Sequence, residues 1–264
     1  MKLVPRRSNE RGHADHGWLK TFHTFSFANY YDATHDHFGS LRVINEDRVE
    51  PGTGFGTHAH REFEIFSYIV AGELEHRDSM GNVEVMKRGD LQMTSAGTGI
   101  RHSEHQHGGK QVHFLQIWAT PDTKGLTPKY FTRHFTDEEK KDQWAHIVAP
   151  MGGDGVLEQR EASGPAPVHA PLSLFATMLS PQGKLSYAFQ ARGGSRKGYV
   201  HVIQTSGYNA GSASGAHVHV HGAEGGPVEL KEGDGAYIMA ASGEELAVEN
   251  VGDRVAEVLL FDME

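Results

Sequence analysis

The chain contains no cysteine, so it has neither disulfides nor thiolate chemistry, and any metal must be held by nitrogen and oxygen ligands. It also lacks an apolar run near the roughly 20 residues that a membrane-spanning helix needs. Basic residues are in the minority, since 25 Lys and Arg face 34 Asp and Glu and give a net charge of -9. This acidic balance argues against nucleic-acid binding, and no membrane partner is expected.

Residues 1–10 carry Arg6 and Arg7 without a following apolar stretch, so no secretory signal is predicted and we expect a soluble cytoplasmic protein. Two residue types are abundant, with 32 glycines and 19 histidines, and 13 of the histidines precede residue 136. At 264 residues the chain is long enough for one large domain or two modest ones. Many glycines and few helical patterns favour an all-β protein with frequent turns.

Short apolar segments between turn signals predict strands in both halves of the chain. The predicted strands are 41–44, 63–70, 83–86, 91–94, 112–118, 173–179, 185–190, 199–204, 236–239 and 255–261. Thr136 and Glu139 have the spacing of a capping box, which predicts a short helix that ends near Trp144.

Gly- and Pro-rich stretches at 149–155 and 163–167 indicate a linker zone between the halves. We therefore predict two β-barrels or sandwiches, an N-terminal domain over 1–135 and a C-terminal domain over 150–264. Three pairs of similar segments occur in the same order in both halves and indicate an internal repeat. The pairs are 63–70 with 199–204, 87–90 with 231–234, and 112–118 with 255–261.

The strongest chemical signal is a pair of histidines, His58 and His60, placed two residues apart before the predicted strand 63–70. Side chains with this spacing on a strand share a face, and imidazoles ligate Zn, Fe, Ni, Cu and related ions. His102 and Glu104 repeat the spacing and are the best source of two further ligands. Glu64 shares the parity of the histidine pair and is the alternative carboxylate. Such a donor set leaves a coordination position open, as a catalytic site requires.

The second half of the chain is predicted to lack this site. Counted from the corresponding glycines, the ligand positions fall on Gly193, Ser195, Leu246 and Val248. The repeat thus predicts one metal per chain, in the N-terminal domain. His217, His219 and His221 share one face of another strand and could hold a surface metal, but no carboxylate partner is in view, and we favour a solvated face.

Four longer motifs resemble those of the pirin family, a branch of the cupins. They are Asn9-Glu-Arg-Gly-His-Ala-Asp-His-Gly-Trp-Leu19, His23-Thr-Phe-Ser-Phe-Ala-Asn-Tyr-Tyr31, Gly54-Phe-Gly-Thr-His-Ala-His60 and Ser95-Ala-Gly-Thr-Gly-Ile-Arg-His-Ser-Glu104. The resemblance covers residues 1–135 and is looser over the C-terminal half. Within the family it is to the bacterial branch with quercetin 2,3-dioxygenase activity.

The resemblance implies two tandem cupin barrels, which are double-stranded β-helices of jelly-roll type with few short helices, and a metal only in the N-terminal barrel. It places the ligands at His58, His60, His102 and Glu104. The implied cofactor is one divalent transition metal, and Fe, Ni, Mn, Co, Zn and Cu all suit this donor set.

The implied activity is that of a metal-dependent dioxygenase that opens the ring of flavonols such as quercetin with O2 and releases carbon monoxide. Glu104 would accept the proton of the flavonol hydroxyl. A small aromatic substrate needs a largely apolar cleft, and Phe25, Phe55 and Phe63 are candidates for its walls or for the core.

Two other functions suit the same residues. The first is that of a pirin-like metal- or redox-sensing regulator that acts by protein–protein binding, and the acidic balance fits a protein partner better than DNA. The second is that of an isomerase or hydrolase acting on a small acid or sugar, because cupins carry many chemistries.

Overall fold

The computed structural model describes residues 1–190, 194–222 and 225–264, in which strands joined by turns dominate. The strands of the first half are β1 (Lys2–Arg6), β2 (Gly12–Asp15), β3 (Leu19–His23), β4 (Leu41–Val49), β5 (Gly54–His60), β6 (Glu64–Ala71), β7 (Glu73–Asp78), β8 (Val83–Lys87), β9 (Asp90–Ser95), β10 (Ile100–His107), β11 (Val112–Ala119) and β12 (Lys129–His134).

The second half continues the pattern. Its strands are β13 (Ala145–Pro150), β14 (Ala166–Val168), β15 (Leu172–Leu179), β16 (Lys184–Ala188), β17 (Ser195–Val202), β18 (His217–His221), β19 (Val228–Lys231), β20 (Gly235–Ala241), β21 (Glu245–Asn250) and β22 (Ala256–Met263). The helices of the described residues are two short 3-10 turns, Ser8–Glu10 and Ala33–His35, and one α-helix, α1 (Asp137–Lys140). The prediction of an all-β protein with few short helices is confirmed.

The chain folds into two compact units. The N-terminal unit consists of Gly12–Phe135 and Val148–Pro171, and the C-terminal unit consists of Met1–Arg11, Thr136–Ile147 and Leu172–Glu264. Met1–Arg11 joins the C-terminal unit because β1 pairs with β20 along its whole length. The predicted domain ranges 1–135 and 150–264 stay a prediction.

The N-terminal unit is built from a seven-stranded and a four-stranded sheet. Their orders are β12-β9-β6-β11-β4-β3-β2 and β5-β10-β7-β8. Ile69 and Phe114 of the larger sheet and Leu74 and Met86 of the smaller one belong to a single buried cluster. Burying each such side chain contributes about 1.5–3 kcal/mol, so this cluster holds the two sheets together.

The C-terminal unit repeats this plan. Five strands of its larger sheet follow the order β1-β20-β17-β22-β15, and its smaller sheet follows β16-β21-β18-β19. Compared position by position with the N-terminal unit, the larger sheet corresponds to β12-β9-β6-β11-β4 and the smaller sheet corresponds to β5-β10-β7-β8. All three predicted segment pairs lie on matched elements, which confirms the internal repeat. In the C-terminal unit, β1 takes the position that β12 takes in the N-terminal unit.

The repeat extends to the detail of one turn. Asp90 Oδ2 accepts a hydrogen bond from the backbone N of Lys87 at 2.8 Å, and Asp234 Oδ2 accepts one from the backbone N of Lys231 at 3.1 Å. The glycine between them has a positive φ in both copies, +89° at Gly89 and +87° in its counterpart. An Asp that bonds its own turn and a glycine in the left-handed region together define this bend.

The predicted capping box is confirmed, but the predicted end of the helix is wrong. Thr136 Oγ1 accepts a hydrogen bond from the Glu139 backbone N at 3.2 Å, and Glu139 Oε2 accepts one from the Thr136 backbone N at 2.7 Å. The helix ends at Lys140 instead of near Trp144. The chain leaves the helix because Asp142 has a φ of 52° and its backbone N donates to the Met178 carbonyl of β15. No helix among the described residues has the length and apolar character that a membrane crossing requires.

Candidate metal centre

Three predicted ligands converge where β5 and β10 pair. The antiparallel register puts His102 directly opposite His58, and His60 follows on the same face of β5. The three rings form a nearly equilateral triangle, with centroid separations of 4.7 Å for His58–His60, 4.6 Å for His58–His102 and 4.7 Å for His60–His102. One nitrogen of each ring lies within 4.8 Å of the other two. The structure thus brings together the three histidines that the sequence singles out.

Two of these imidazoles approach each other through their ring nitrogens. The Nε2 atoms of His58 and His102 are 3.1 Å apart, and Nδ1 of His58 lies 2.8 Å from the Gly56 carbonyl, to which a ring N–H can donate. That hydrogen bond leaves Nε2 free as a ligand. Metal–nitrogen bonds of about 2.1 Å place adjacent ligands about 3 Å apart, so the spacing fits one divalent transition metal.

Burial keeps two of the three rings uncharged. Burial first and the neighbouring imidazoles second lower the pKa of His102 to about 3 and that of His60 to about 4. Both side chains are therefore neutral at pH 7, because protonation would put a charge in a poorly solvated position beside other rings. Neutral imidazole is the form that binds a metal.

Glu104 lies beside this triangle in a different environment. A β-bulge shifts the β5–β10 register between His102 and Glu104, and the carboxylate falls in a second cluster, with His76 and His102. It is 2% exposed. Oε2 accepts a hydrogen bond from Gln116 Nε2 at 2.8 Å, and Oε1 accepts one from Ser67 Oγ at 3.1 Å. Both carboxylate oxygens are thus held by neutral donors next to His102.

Glu64, the alternative carboxylate, lies in β6 of the larger sheet. Its Oε1 accepts a hydrogen bond from Ser95 Oγ, and its Oε2 accepts one from the His169 backbone N at 3.1 Å. Among the described residues it belongs to none of the clusters that could hold a metal. Its hydrogen bonds join β6 to β9 and to the segment that follows β14, which is a structural role.

Sequence reasoning missed His76, which the structure places against His102. The two ring centroids are 5.2 Å apart, and His76 also stacks on Tyr130 at 4.9 Å. His76 is fully buried, with Nε2 3.3 Å from Asp78 Oδ2. The available signal was the alternation of Leu74 and His76 after a turn glycine, which is typical of a strand with one inward face.

Gln116 was missed as well, although its strand was predicted. Phe114, Gln116 and Trp118 alternate along β11 and share a face. An amide on an otherwise apolar strand face needs a buried partner, which here is Glu104. Trp118 contacts His60, with ring centroids 4.8 Å apart, and Phe63, with ring centroids 5.2 Å apart.

A cleft of about 550 Å³ opens beside the triangle and is partly lined by His60. Backbone and side chains of Ser79, Ile100 and two arginines, Arg61 and Arg101, form part of its walls. This volume lies in the range of small-molecule sites. Of the three phenylalanines proposed for its walls, Phe25 is 1% exposed and lies in the core, whereas Phe55 packs edge-on against Trp18 at 5.2 Å.

The matched strands of the C-terminal unit carry no such triangle among the described residues. There β16 and β21 replace β5 and β10, and the cross-strand pairs are Leu185 with Val248 and Tyr187 with Leu246. Leucine, valine and tyrosine side chains occupy these pairs instead of imidazoles. Two positions counted from the sequence, Leu246 and Val248, do lie on the matched strand β21. Ser195 lies on β17 instead of β16, and Gly193 lies outside the described residues.

Comparison with known proteins identifies relatives of this chain by sequence and by fold. A family model described as Pirin matches residues 5–119. Quercetin 2,3-dioxygenase of Escherichia coli strain K12 is 38% identical over 259 residues, which cover 98% of this chain and 97% of the relative. The structure of the bacterial pirin YhhW from Escherichia coli in complex with nickel(II) is 35% identical, with a TM-score of 0.80 and 99% of each chain covered.

A more distant solved structure bears on the fold alone. An oxalate decarboxylase of Lactobacillus farciminis has a TM-score of 0.60 at 12% identity, covering 100% of this chain and 87% of that chain. Its likeness and that of the pirin structures confirm the predicted tandem cupin fold. Since a relative 38% identical spans nearly the full length of both chains, this chain belongs to the pirin family.

Proposed function

We propose that this protein is a metal-dependent dioxygenase that opens the ring of flavonols such as quercetin. The observation that carries the proposal is the triangle of His58, His60 and His102 beside an open cleft. It is supported by the 38% identity to a quercetin 2,3-dioxygenase along the whole chain. The substrates are a small aromatic molecule and O2.

The three histidines would hold the metal, with Glu104 as the fourth ligand. Nickel(II) is one candidate, since a structure of a relative at 35% identity contains it. When bound, a divalent metal supplies a Lewis acid that polarises the substrate oxygens and lowers the pKa of the flavonol hydroxyl. His60 faces the cleft, so the substrate would approach from that side.

Glu104 would accept the proton of the substrate hydroxyl. Gln116 and Ser67 each donate a hydrogen bond to one of its oxygens, so the carboxylate is oriented before the substrate arrives. A proton acceptor must lie within hydrogen-bond reach of the group it deprotonates, so this fixed orientation matters for the reaction. The remaining lone pairs of Oε1 and Oε2 can take the proton.

Trp118 would extend the wall of the cleft beyond His60, which is one of its lining residues. Its ring contacts both His60 and Phe63. A flat aromatic wall orients an aromatic substrate and excludes water from the reacting oxygens. Arg61 and Arg101 at the cleft attract the anionic form that flavonols take when the hydroxyl loses its proton.

The test is the loss of quercetin absorbance under air by the metal-loaded protein, with carbon monoxide measured in the headspace. We expect wild type to consume quercetin, and His60→Ala to abolish the reaction and the bound metal together. His107→Ala is the matched control, because His107 is exposed on the ligand strand β10 and lies 3.8 Å from Glu75. It should keep both activity and metal. A loaded wild type that leaves quercetin intact would rule out the proposal and favour the regulator that binds a protein partner.

A further inference from the structure

The C-terminal unit carries a second group of histidines that the proposed reaction does not use. His217, His219 and His221 alternate along β18 with Val218 and Val220, which are fully buried in the core of this unit. The histidine side chains therefore lie on the opposite face of the strand, and all three are partly exposed. The three rings therefore lie at the surface of this unit.

The structure supplies the carboxylate that was missing from the sequence interpretation. β19 pairs with β18 so that Glu229 lies directly opposite His219. Glu229 Oε1 is 3.1 Å from Nε2 of His217. One ligand atom from each of these three residues lies within 4.8 Å of the other two. The sequence favoured a solvated face because no carboxylate partner could be seen. The β18–β19 register supplies that partner, Glu229.

The contact between His217 and Glu229 has the spacing of two ligands on one ion. Nε2 of His217 is buried and makes no hydrogen bond within the described residues, although Glu229 Oε1 is so close. Zn–N and Zn–O bonds of about 2.0–2.2 Å place neighbouring tetrahedral ligands about 3.3 Å apart. A ring nitrogen and a carboxylate oxygen at this separation suit a cation bound between them.

His221 is engaged elsewhere. Its Nε2 lies 2.9 Å from Glu249 Oε2, and the same carboxylate is 3.4 Å from Lys184 Nζ. His221 and Glu249 therefore form a separate pair on the side of β21, where Glu249 lies opposite His219 in the register.

We propose that His217, His219 and Glu229 form a second metal site, on the surface of the C-terminal unit, which binds Zn²⁺. Two imidazoles and one carboxylate are a donor set that zinc uses, and they leave one tetrahedral position for water. The site does not depend on the N-terminal centre or on the dioxygenase proposal, because it shares no residue with either.

A lysine competes for the same carboxylate oxygen. Lys231 Nζ is 3.4 Å from Glu229 Oε1, and Lys231 lies opposite His217 in the β18–β19 pair. Zinc must displace this ammonium group from the oxygen. Removing the lysine charge in Lys231→Met should therefore lower the zinc dissociation constant, by about twofold to fivefold for a surface charge pair.

The experiment measures zinc bound per chain by equilibrium dialysis and elemental analysis, on the full chain without a histidine tag. In a His58→Ala/His60→Ala background the N-terminal centre is removed, and we expect one zinc to remain. Adding His219→Ala or Glu229→Gln should lower the affinity for that zinc by at least about tenfold. Even the removal of a residue that hydrogen-bonds to a metal ligand typically costs this much.

His221→Ala in the same background is the matched control, since it removes a histidine from the same face of the same strand. It should retain the zinc, and thermal unfolding of each variant verifies that it is folded. The proposal is overturned if the background protein binds no zinc, if His219→Ala and Glu229→Gln retain it unchanged, or if His221→Ala loses as much. Quercetin turnover by wild type is measured separately and has no bearing on these outcomes.

Discussion

Replacing Gln116 with leucine tests whether Glu104 acts in the N-terminal centre. Leucine keeps most of the side-chain volume but removes the hydrogen bond from Gln116 Nε2 to Glu104 Oε2, which is 2.8 Å long. Gln116 is 8% exposed and Glu104 is 2% exposed, so water has little access to replace the donor. A hydrogen bond to a charged group in such a place is worth about 1.5–3 kcal/mol.

Each 1.4 kcal/mol corresponds to about a factor of ten, so Gln116→Leu should cost about 10- to 100-fold in metal affinity or in kcat/KM for quercetin. Metal affinity is measured by dialysis and turnover by flavonol absorbance, with the variants loaded to equal metal content for the kinetic comparison. The side chain of Ser67 still holds Oε1, so the loss should be partial.

Gln111→Leu is the matched control. It removes the same kind of hydrogen bond, from Gln111 Nε2 to Glu50 Oε1 at 2.7 Å, in the same unit but outside the histidine clusters. Metal binding and turnover should stay within about twofold of wild type. If Gln116→Leu also stays within about twofold in both measurements, Glu104 takes no part in the centre and the reasoning fails.

Two further changes probe the packing around the sites. His76→Phe keeps the stack on Tyr130 but removes both ring nitrogens next to His102. Metal affinity, measured by dialysis, should therefore fall by about 10–100-fold with little change in Tm. Unchanged affinity would exclude a supporting role for His76. Leu246→Ala truncates a fully buried side chain of the C-terminal core and should lower the free energy of unfolding by about 2–5 kcal/mol in denaturant titrations. Val255→Ala, at a site 43% exposed, is the control. Equally small losses in the two variants would contradict the burial argument.

Much of the fold was predictable because strand and turn signals are local. The alternation around 112–118 and the glycine after Arg88 were enough to place β11 and the turn before β9. The strand β7 was missed because Glu73–Asp78 is polar, and only Leu74 and His76 mark its buried face. The end of α1 was mispredicted because it depends on a hydrogen bond to β15, far along the chain.

The repeat could be recognised in the sequence, but the sequence alone did not align the two halves residue by residue. Counting residues back from a glycine reached Ser195 on β17, whereas the strand that matches β5 is β16. The connection between these strands differs in length between the two halves, and connections can vary in length without changing the sheet order. Only the sheet order identifies Leu185 and Tyr187 as the residues in the place of the histidines.

The sequence by itself determined which donor atoms are available and which of them share a face. The absence of cysteine restricts any ligands to nitrogen and oxygen, and the two-residue spacing pairs His58 with His60 and His217 with His219, because alternation is a property of every extended strand. The tertiary structure decided what each pair faces. Strand register brings His102 opposite His58 and Glu229 opposite His219, and register is set by the packing of whole sheets, to which residues distant in the chain contribute.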